Sequence, residues 1–190
     1  MLAQLSRWAI GAGWILFIAY WAIAARNVKP TRWHEGWRAR ALDTALLLGA
    51  AILLGVPRMV PALLRARFIA PDPALDALGA VMTLSGVGFA IWARRHLGRN
   101  WSGNVTVKEE HALIRSGPYA FLRHPIYSGV LLALLGTALA FGEWRTLGAL
   151  LLFFLAILRR IAAEETQMRQ AFPGYDQYRS ESWALVPFLY

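Results

Sequence analysis

Residues 125–158 read PIYSGVLLALLGTALAFGEWRTLGALLLFFLAIL, which is two apolar runs with a short polar connection between them. The first run covers residues 125–141 and the second covers residues 146–158. Each approaches the roughly 20 residues that an α-helix needs to cross the hydrocarbon core of a bilayer. A connection of this length allows only a tight turn. The stretch therefore predicts an antiparallel pair of membrane helices.

Three more apolar runs precede this hairpin, at residues 8–25, 41–64 and 75–93. Pro57 and Pro61 interrupt the second run, so we expect that span to end near residue 56, with a kinked or interfacial segment after it. No sustained alternation of apolar and polar residues predicts strands. The sequence predicts an all-α integral membrane protein with five transmembrane helices, the last two forming a C-terminal helical hairpin. Five glycines within the spans are expected to allow close helix contacts: Gly79, Gly86, Gly88, Gly129 and Gly136.

The composition agrees with a membrane protein. Of the 190 residues 57% are hydrophobic and only 16% are charged, which is too apolar for an ordinary soluble domain. There is no cysteine, so disulfides, thiolate metal sites and a cysteine nucleophile are excluded. The net charge of +9 would suggest nucleic-acid binding in a soluble chain. In a membrane protein the basic residues have to be counted in each connection between spans, because their distribution indicates the orientation in the membrane.

The basic residues divide unevenly between the two ends of the spans. Fifteen of the twenty Lys and Arg lie in residues 26–40, 94–124 and 159–190. The positive-inside rule predicts that these segments are cytoplasmic and that the N-terminus is outside. We therefore expect an integral membrane protein whose partner is the lipid bilayer and not nucleic acid. Two of the cytoplasmic segments are long, and long connections in a compact protein are usually functional.

The residue types on the cytoplasmic face limit the chemistry. All four histidines lie there: His34, His96, His111 and His124. Their spacing does not give the paired ligands of a helical zinc or haem site, so we predict no metal. No serine lies in a Gly-x-Ser-x-Gly elbow, which argues against a Ser-His-Asp hydrolase.

One cytoplasmic segment, residues 111–129, reads HALIRSGPYAFLRHPIYSG and leads directly into the fourth span. Pro125 suits the first turn of a helix whose preceding residue is extended. This places Tyr119, Arg123, His124 and Tyr127 around one helix entrance, where they would be able to hold a small ligand.

A second segment, residues 159–165, reads RRIAAEE and continues the fifth helix beyond the membrane to about residue 172. Arg160 and Glu164 are four residues apart and share a helix face. Alone, such a pair is an exposed salt bridge of less than about 1 kcal/mol. A hairpin, however, brings the start of its first helix beside the end of its second. We therefore expect Arg160 and Glu164 to converge with His124 and Tyr127.

These segments resemble the isoprenylcysteine carboxyl methyltransferase family of integral membrane enzymes. The resemblance consists of His-x-Leu-Ile-x-x-Gly-Pro-Tyr-x-x-x-Arg-His-Pro-x-Tyr-x-Gly from residue 111, Arg-x-x-x-Glu-Glu from residue 160, Phe-Pro-Gly-Tyr-x-x-Tyr from residue 172 and Val-Pro-Phe from residue 186. It covers about residues 99–190 and is closest to the short prokaryotic members. Residues 172–175 depart from the family pattern Phe-Gly-x-x-Tyr by being one residue shorter.

The resemblance implies transfer of a methyl group from S-adenosylmethionine to a lipophilic carboxylate. It implies a catalytic region over residues 99–190, with a cytosolic cofactor-binding loop and tail, and its likeness to prokaryotic members implies a bacterial inner membrane. Residues 1–98, with the three spans predicted above, match the family only in being spans. The implied cofactor-binding residues are Asn104, His111, Ala112, Leu113, Ile114, Tyr119, His124, Pro125, Ile126, Tyr127 and Glu164. Arg160 and Glu164 would be the catalytic residues, with Arg160 holding the substrate, a lipophilic small molecule or a lipidated protein.

Two alternatives remain open. A methyltransferase acting on a phospholipid amine or a small thiol would share the cofactor, but its acceptor would have to lose a proton. The sequence suggests only His111 and His124 as the general base that would remove this proton. The other alternative is a non-enzymatic membrane subunit that retains the motif.

Overall fold

The chain is described by a computed structural model over residues 1–26, 36–98, 101 and 113–188. Over these residues it is helical and has no strands, as predicted. The principal helices are α1 (Leu2–Ala24), α2 (Trp37–Gly55), α3 (Pro73–Leu97), α4 (Pro125–Phe141), α5 (Trp144–Ala171) and α6 (Tyr175–Ser180). Single turns at Pro57–Met59, Ala62–Arg65 and Gly117–Ala120 lie in the connections.

The five longer helices coincide with the five predicted spans. By length and composition, α1, α3 and α5 are able to cross a membrane. Helix α4 has 17 residues, and α2 contains Arg38, Arg40 and Asp43 in its first two turns. That these two helices also cross the bilayer stays a prediction, as do the orientation and the division at residue 98.

Helices α3 and α4 approach closely through paired glycines. A Cβ atom on Gly79 would lie 2.4 Å from the carbonyl oxygen of Gly136, and one on Gly86 would lie 2.4 Å from that of Gly129. Because no side chain fits at either crossing, the backbones themselves are in contact. The expectation of close contact is correct for these four glycines. It is wrong for Gly88, which is exposed and has no atom within 4 Å of its Cβ position.

The turn between α4 and α5 is fixed by Gly142, which ends α4 in the left-handed conformation with φ +59°. This region favours glycine because a Cβ would be strained there. The adjacent Arg145 is buried and donates hydrogen bonds to the carbonyl oxygens of Leu53 and Leu54, at 2.8 and 3.0 Å. The turn is thereby attached to the end of α2.

At the opposite end of the bundle the C-terminal tail folds back over the start of α4. The backbone N–H groups of Arg123 and His124 donate to the carbonyl oxygens of Trp183 and Ala184, at 2.8 and 3.0 Å. The hydroxyl group of Tyr178 donates to the carbonyl oxygen of Tyr119 at 2.7 Å. The tail thus covers the entrance of α4.

The segment at residues 172–175 forms the turn between α5 and this tail. The N–H of Tyr175 donates to the carbonyl oxygen of Phe172 at 3.0 Å, which closes a turn directly after α5. Helix α6 then begins at Tyr175, whose side chain is buried together with that of Tyr178. The shorter form of the segment is therefore accommodated by a tight turn.

Candidate active site

The candidate site lies where α4 begins and α5 extends beyond its apolar run. Glu164 accepts a hydrogen bond from the Tyr127 hydroxyl group at 2.6 Å through Oε1. Its other oxygen lies 3.3 Å from Nδ1 of His124. The hairpin thus brings Glu164 of α5 to Tyr127 and His124 at the start of α4, although Tyr127 is 37 positions earlier in the chain. This is the juxtaposition that the hairpin geometry predicts.

His124 lies between two carboxylates. Its Nδ1 faces Glu164, and its Nε2 is 3.5 Å from Oε1 of Glu165. Its ring also stacks on Tyr127, with the ring centroids 5.8 Å apart. Burial opposes the charged imidazolium, but the hydrogen bonds and charges of Glu164 and Glu165 outweigh it, so the pKa of His124 is raised. The two carboxylates therefore favour the protonated form of His124.

Glu165 links the helices to the tail. Its Oε1 lies 2.8 Å from Nε of Arg123, and its Oε2 lies 3.3 Å from Nε of Arg179. Arg123 also donates to the carbonyl oxygens of Arg179 and Ser182. Sequence reasoning assigned Glu165 no role, although its position next to Glu164 in the family motif was a signal.

Arg160 lies on the same face of α5, one turn before Glu164. Its charge acts on Glu164 and on Tyr127. Its Nε is 3.7 Å from Oδ2 of Asp43 on α2, and the other oxygen of Asp43 is 3.1 Å from Nε of Arg159. Sequence reasoning missed Asp43. The available signal was its position as the acidic residue inside an otherwise apolar run.

Tyr119 forms the wall of the site toward α3. Its side chain is buried, and its ring stacks on His96 at the end of α3, with the centroids 6.4 Å apart. Burial and the charge of Glu164 raise the pKa of Tyr119, so its phenol is neutral. The stack depends on Gly117, whose φ is +58° and whose Cβ position lies 2.6 Å from the His96 ring. A lone histidine gave no signal for this role in the sequence.

The remaining predicted positions divide into two groups. Pro125 is buried at the first position of α4, and Ile126, Leu113 and Ile114 are partly buried nearby in the chain. The other three predicted cofactor contacts lie outside the described residues: Asn104, His111 and Ala112. Within the described ranges no group of three or more His, Asp or Glu side chains is arranged to hold a metal ion.

A groove with a volume of about 450 Å³ lies beside this cluster, on the tail. It is lined by Arg123, Asp176, Arg179, Ser180, Ser182, Trp183 and Ala184. None of these residues belongs to the predicted cofactor or substrate set. The groove is therefore separate from the site around Glu164, although it shares Arg123 and Arg179 with the network of Glu165.

Comparisons with known proteins agree with this geometry. Residues 79–170 match the sequence profile of the isoprenylcysteine carboxyl methyltransferase family. A Schizosaccharomyces pombe protein-S-isoprenylcysteine O-methyltransferase is 32% identical over 48% of this chain and 41% of its own length. The cobalt-zinc-cadmium resistance protein CzcN of Cupriavidus metallidurans is 28% identical over 86% of this chain and 74% of its own length.

The fold is also similar to that of a eukaryotic intramembrane Ras methyltransferase of known structure, an isoprenylcysteine carboxyl methyltransferase. The TM-score is 0.52 at 21% identity, over 80% of this chain and 64% of the other, so this chain spans less than two thirds of that protein's length. The range matched by the family profile contains every predicted site residue. Over that range, which is just under half of the chain, the sequence is similar to the isoprenylcysteine carboxyl methyltransferase family of membrane methyltransferases.

Proposed function

We propose that this protein transfers a methyl group from S-adenosylmethionine to the carboxylate of a lipophilic acceptor. The observation that carries the proposal is that one end of the α4–α5 hairpin brings four side chains close together: Tyr127, His124, Glu164 and Arg160. All four lie in the range that matches the methyltransferase family.

The donor set suits S-adenosylmethionine. This cofactor carries positive charge on its sulfonium and amino groups, and hydroxyl groups on its ribose. Glu164, which accepts a hydroxyl hydrogen bond at 2.6 Å, is the kind of group that holds an ammonium or a ribose hydroxyl. The aromatic ring of Tyr127 is the kind of group that attracts a cation. With Tyr119, Pro125, Ile126, Leu113 and Ile114 these residues would form the described part of the cofactor site, and Asn104, His111 and Ala112 would complete it.

The cofactor, when bound, supplies an electrophilic methyl group on sulfur. The protein then has to orient the acceptor and exclude water, since a carboxylate is ionised at neutral pH and needs no general base. Arg160 suits the first task because its planar guanidinium binds a carboxylate through two parallel N–H groups. The tail suits the second because its backbone is bonded across the start of α4.

The lipophilic character of the acceptor is proposed from the similarity to protein-S-isoprenylcysteine methyltransferases and from the apolar helices that carry the site.

The first experiment measures cofactor binding. We expect purified protein in detergent to bind S-adenosylmethionine by calorimetry, and Tyr127→Phe and Glu164→Gln to weaken the affinity about tenfold or more. Tyr20→Phe on α1 removes a hydroxyl away from the site and serves as the matched control. Absence of binding by the wild-type protein would refute the proposal.

The second experiment identifies the methylated atom. Wild-type protein is incubated with N-acetyl-S-farnesyl-L-cysteine and labelled cofactor, and the product is treated with base. A carboxyl methyl ester releases labelled methanol, whereas N-methyl and S-methyl products retain the label. Base-stable label on a phospholipid amine or a small thiol, with none on the carboxylate, would establish the alternative acceptor.

A second candidate function is a membrane component of resistance to cobalt, zinc or cadmium. The similarity to CzcN over 86% of this chain favours it. A host strain expressing the protein should then tolerate these metals better than the empty strain. Comparison with a strain expressing Arg160→Ala tells whether the tolerance depends on methyl transfer or belongs to a non-enzymatic subunit.

A further inference from the structure

The groove on the C-terminal tail has no part in the proposed methyl transfer. It has a volume of about 450 Å³, and two of the side chains that line it are those of Arg123 and Arg179. Neither arginine belongs to the predicted cofactor or substrate set. A concave surface with two guanidinium groups is a candidate site for an anion, because the guanidinium group recognises carboxylates and phosphates.

The charges around the groove do not balance. Nε of Arg123 lies 2.8 Å from Oε1 of Glu165, and Nε of Arg179 lies 3.3 Å from Oε2 of the same carboxylate. Asp176 also lines the groove, but its Oδ1 lies 3.2 Å from Nε of Arg169, which neutralises it. Among the described residues, the two arginines of the groove therefore share one carboxylate, and one positive charge is in excess.

The two arginines keep donors for a ligand. Arg123 engages Glu165 through Nε and the carbonyl oxygens of Arg179 and Ser182 through Nη1. Arg179 faces Glu165 through Nε, and its side chain is 49% exposed. Within the part of the chain that the structure describes, no hydrogen bond engages Nη2 of Arg123 or the Nη atoms of Arg179. These nitrogens are able to donate to an anion in the groove.

The groove adjoins the start of α4. Trp183 and Ala184 line it, and their carbonyl oxygens accept hydrogen bonds from the N–H groups of Arg123 and His124, directly before the helix. Helix α4 is apolar along its length. With α4 in the bilayer, as predicted, the groove would lie at the level of the phospholipid headgroups. Basic pockets beside membrane helices bind the phosphates of such headgroups.

We propose that this groove is a binding site for a phosphate group, held by Arg123 and Arg179. A phosphate has several charged oxygens, so two guanidinium groups from different segments are able to donate to different oxygens. The excess positive charge of the groove is then neutralised. The place of the groove beside α4 favours a phospholipid headgroup over a soluble phosphate as the source. The proposal does not depend on methyl transfer.

The test measures binding of dihexanoyl phosphatidylglycerol by calorimetry, with the purified protein in a non-ionic detergent. We expect saturable binding by the wild-type protein and an affinity about tenfold or more lower in Arg179→Gln, because charge-assisted hydrogen bonds are lost. Arg179→Lys keeps the charge and should recover part of the loss. Absence of saturable binding, both of this lipid and of inorganic phosphate, would overturn the proposal.

Arg95→Gln is the matched control. It removes an exposed arginine at the end of α3 that does not line the groove. The affinity for the lipid should stay within about twofold of the wild-type value, since a distant exposed charge contributes little. Equal weakening in Arg95→Gln and Arg179→Gln would mean that the protein attracts anions by its net charge, and the proposal would be wrong.

Asp176→Asn tests the site from the opposite direction. The side chain of Asp176 is 79% exposed, so this variant is expected to fold even where Arg179→Gln does not. It removes a negative charge from the lining, and we expect the affinity for the lipid to rise about threefold at low ionic strength. An unchanged or lower affinity in Asp176→Asn would overturn the proposal.

Three further probes identify the source of the phosphate: glycerophosphoglycerol, which is the headgroup without its acyl chains, inorganic phosphate and acetate. Binding of the lipid about tenfold or more tighter than glycerophosphoglycerol, with both dependent on Arg179, assigns the groove to a phospholipid. Equal affinities assign it to a soluble phosphate and retain the phosphate site. Acetate bound as tightly as phosphate would overturn the proposal, because the groove would then not distinguish a phosphate from another anion.

Discussion

Helix α4 takes part in two interfaces of opposite character. Toward α3 it presents Gly129 and Gly136, and the two backbones meet at distances that no side chain allows. Toward α5 it presents His124 and Tyr127 at its first turn, and both are bonded to charged groups. The first interface is determined by shape and the second by hydrogen bonds and charge.

The difference shows that the α3 side of α4 stabilises the helix packing, whereas its first turn contributes residues to the candidate active site. Between α3 and α4 the polar groups satisfy one another: the hydroxyl oxygens of Thr83 and Thr137 lie 3.2 Å apart, and Thr137 also accepts from Trp14 of α1 at 3.0 Å. At the site, each carboxylate has partners from different segments, and the Glu164 side chain remains 24% exposed. A closed network holds helices together, whereas a network with an accessible carboxylate is able to receive a ligand.

The largest effect is expected from breaking the glycine interface. In Gly86→Val the new side chain would meet the backbone of Gly129 and Ala133, so α3 and α4 would have to separate. We expect a loss of about 3 kcal/mol or more in the free energy of unfolding, or failure to fold. Gly88→Val, two residues away in open space, should unfold at the wild-type temperature. Equal thermal unfolding of the two variants in detergent would contradict this account of the interface.

A smaller and more specific effect is expected from Arg160→Lys. The substitution keeps the charge but removes the planar fork, so the acceptor carboxylate loses its paired hydrogen bonds. We expect kcat/KM for the acceptor to fall about a hundredfold, while the unfolding temperature and cofactor affinity stay unchanged.

Arg159→Lys supplies the comparison for this prediction, because Arg159 is the adjacent residue and is 41% exposed. It should retain acceptor kinetics within about twofold of the wild type. If the two lysine variants lose activity equally, the charge of this segment matters and the geometry of Arg160 does not.

The helices were predictable because membrane helices are read from apolar runs. The α4 run was predicted at residues 125–141 and is observed there. The fifth helix was expected to continue to about residue 172, and α5 ends at Ala171. The second span was expected to end near residue 56, ahead of the two prolines, and α2 ends at Gly55. Helix α1 starts six residues before its run because a helix needs no apolar residues outside the bilayer.

The contacts of the site were only partly predictable. The hairpin alone brings Tyr127 to Glu164, since a tight turn fixes which helix ends are neighbours. The hairpin does not indicate where α2 packs, so the contact between Asp43 and Arg160 is seen only in the structure. The pairing of the tail with residues 121–124 was also hidden, because backbone hydrogen bonds leave no side-chain pattern in a sequence.

The smallest effect is expected from the protonation of His124, and it tests the charged interface of α4 directly. The groups that face this ring are the carboxylates of Glu164 and Glu165, the ring of Tyr127 and, through Glu165, the guanidinium groups of Arg123 and Arg179. Burial works against its charge, but the two carboxylates raise the pKa of His124 above the ordinary 6.5. Protonation therefore stabilises the folded state.

This stabilisation is fully present below pH 6.5 and is lost as the pH rises through the raised folded-state pKa of His124. We expect the unfolding temperature in detergent to decline by a few degrees as the pH is raised above 6.5. His124→Gln should flatten that decline, while His96→Gln, which removes the stack on Tyr119, should keep it. A decline that persists in His124→Gln would mean that the charges at the start of α4 do not stabilise the fold, and that both interfaces of this helix depend on packing.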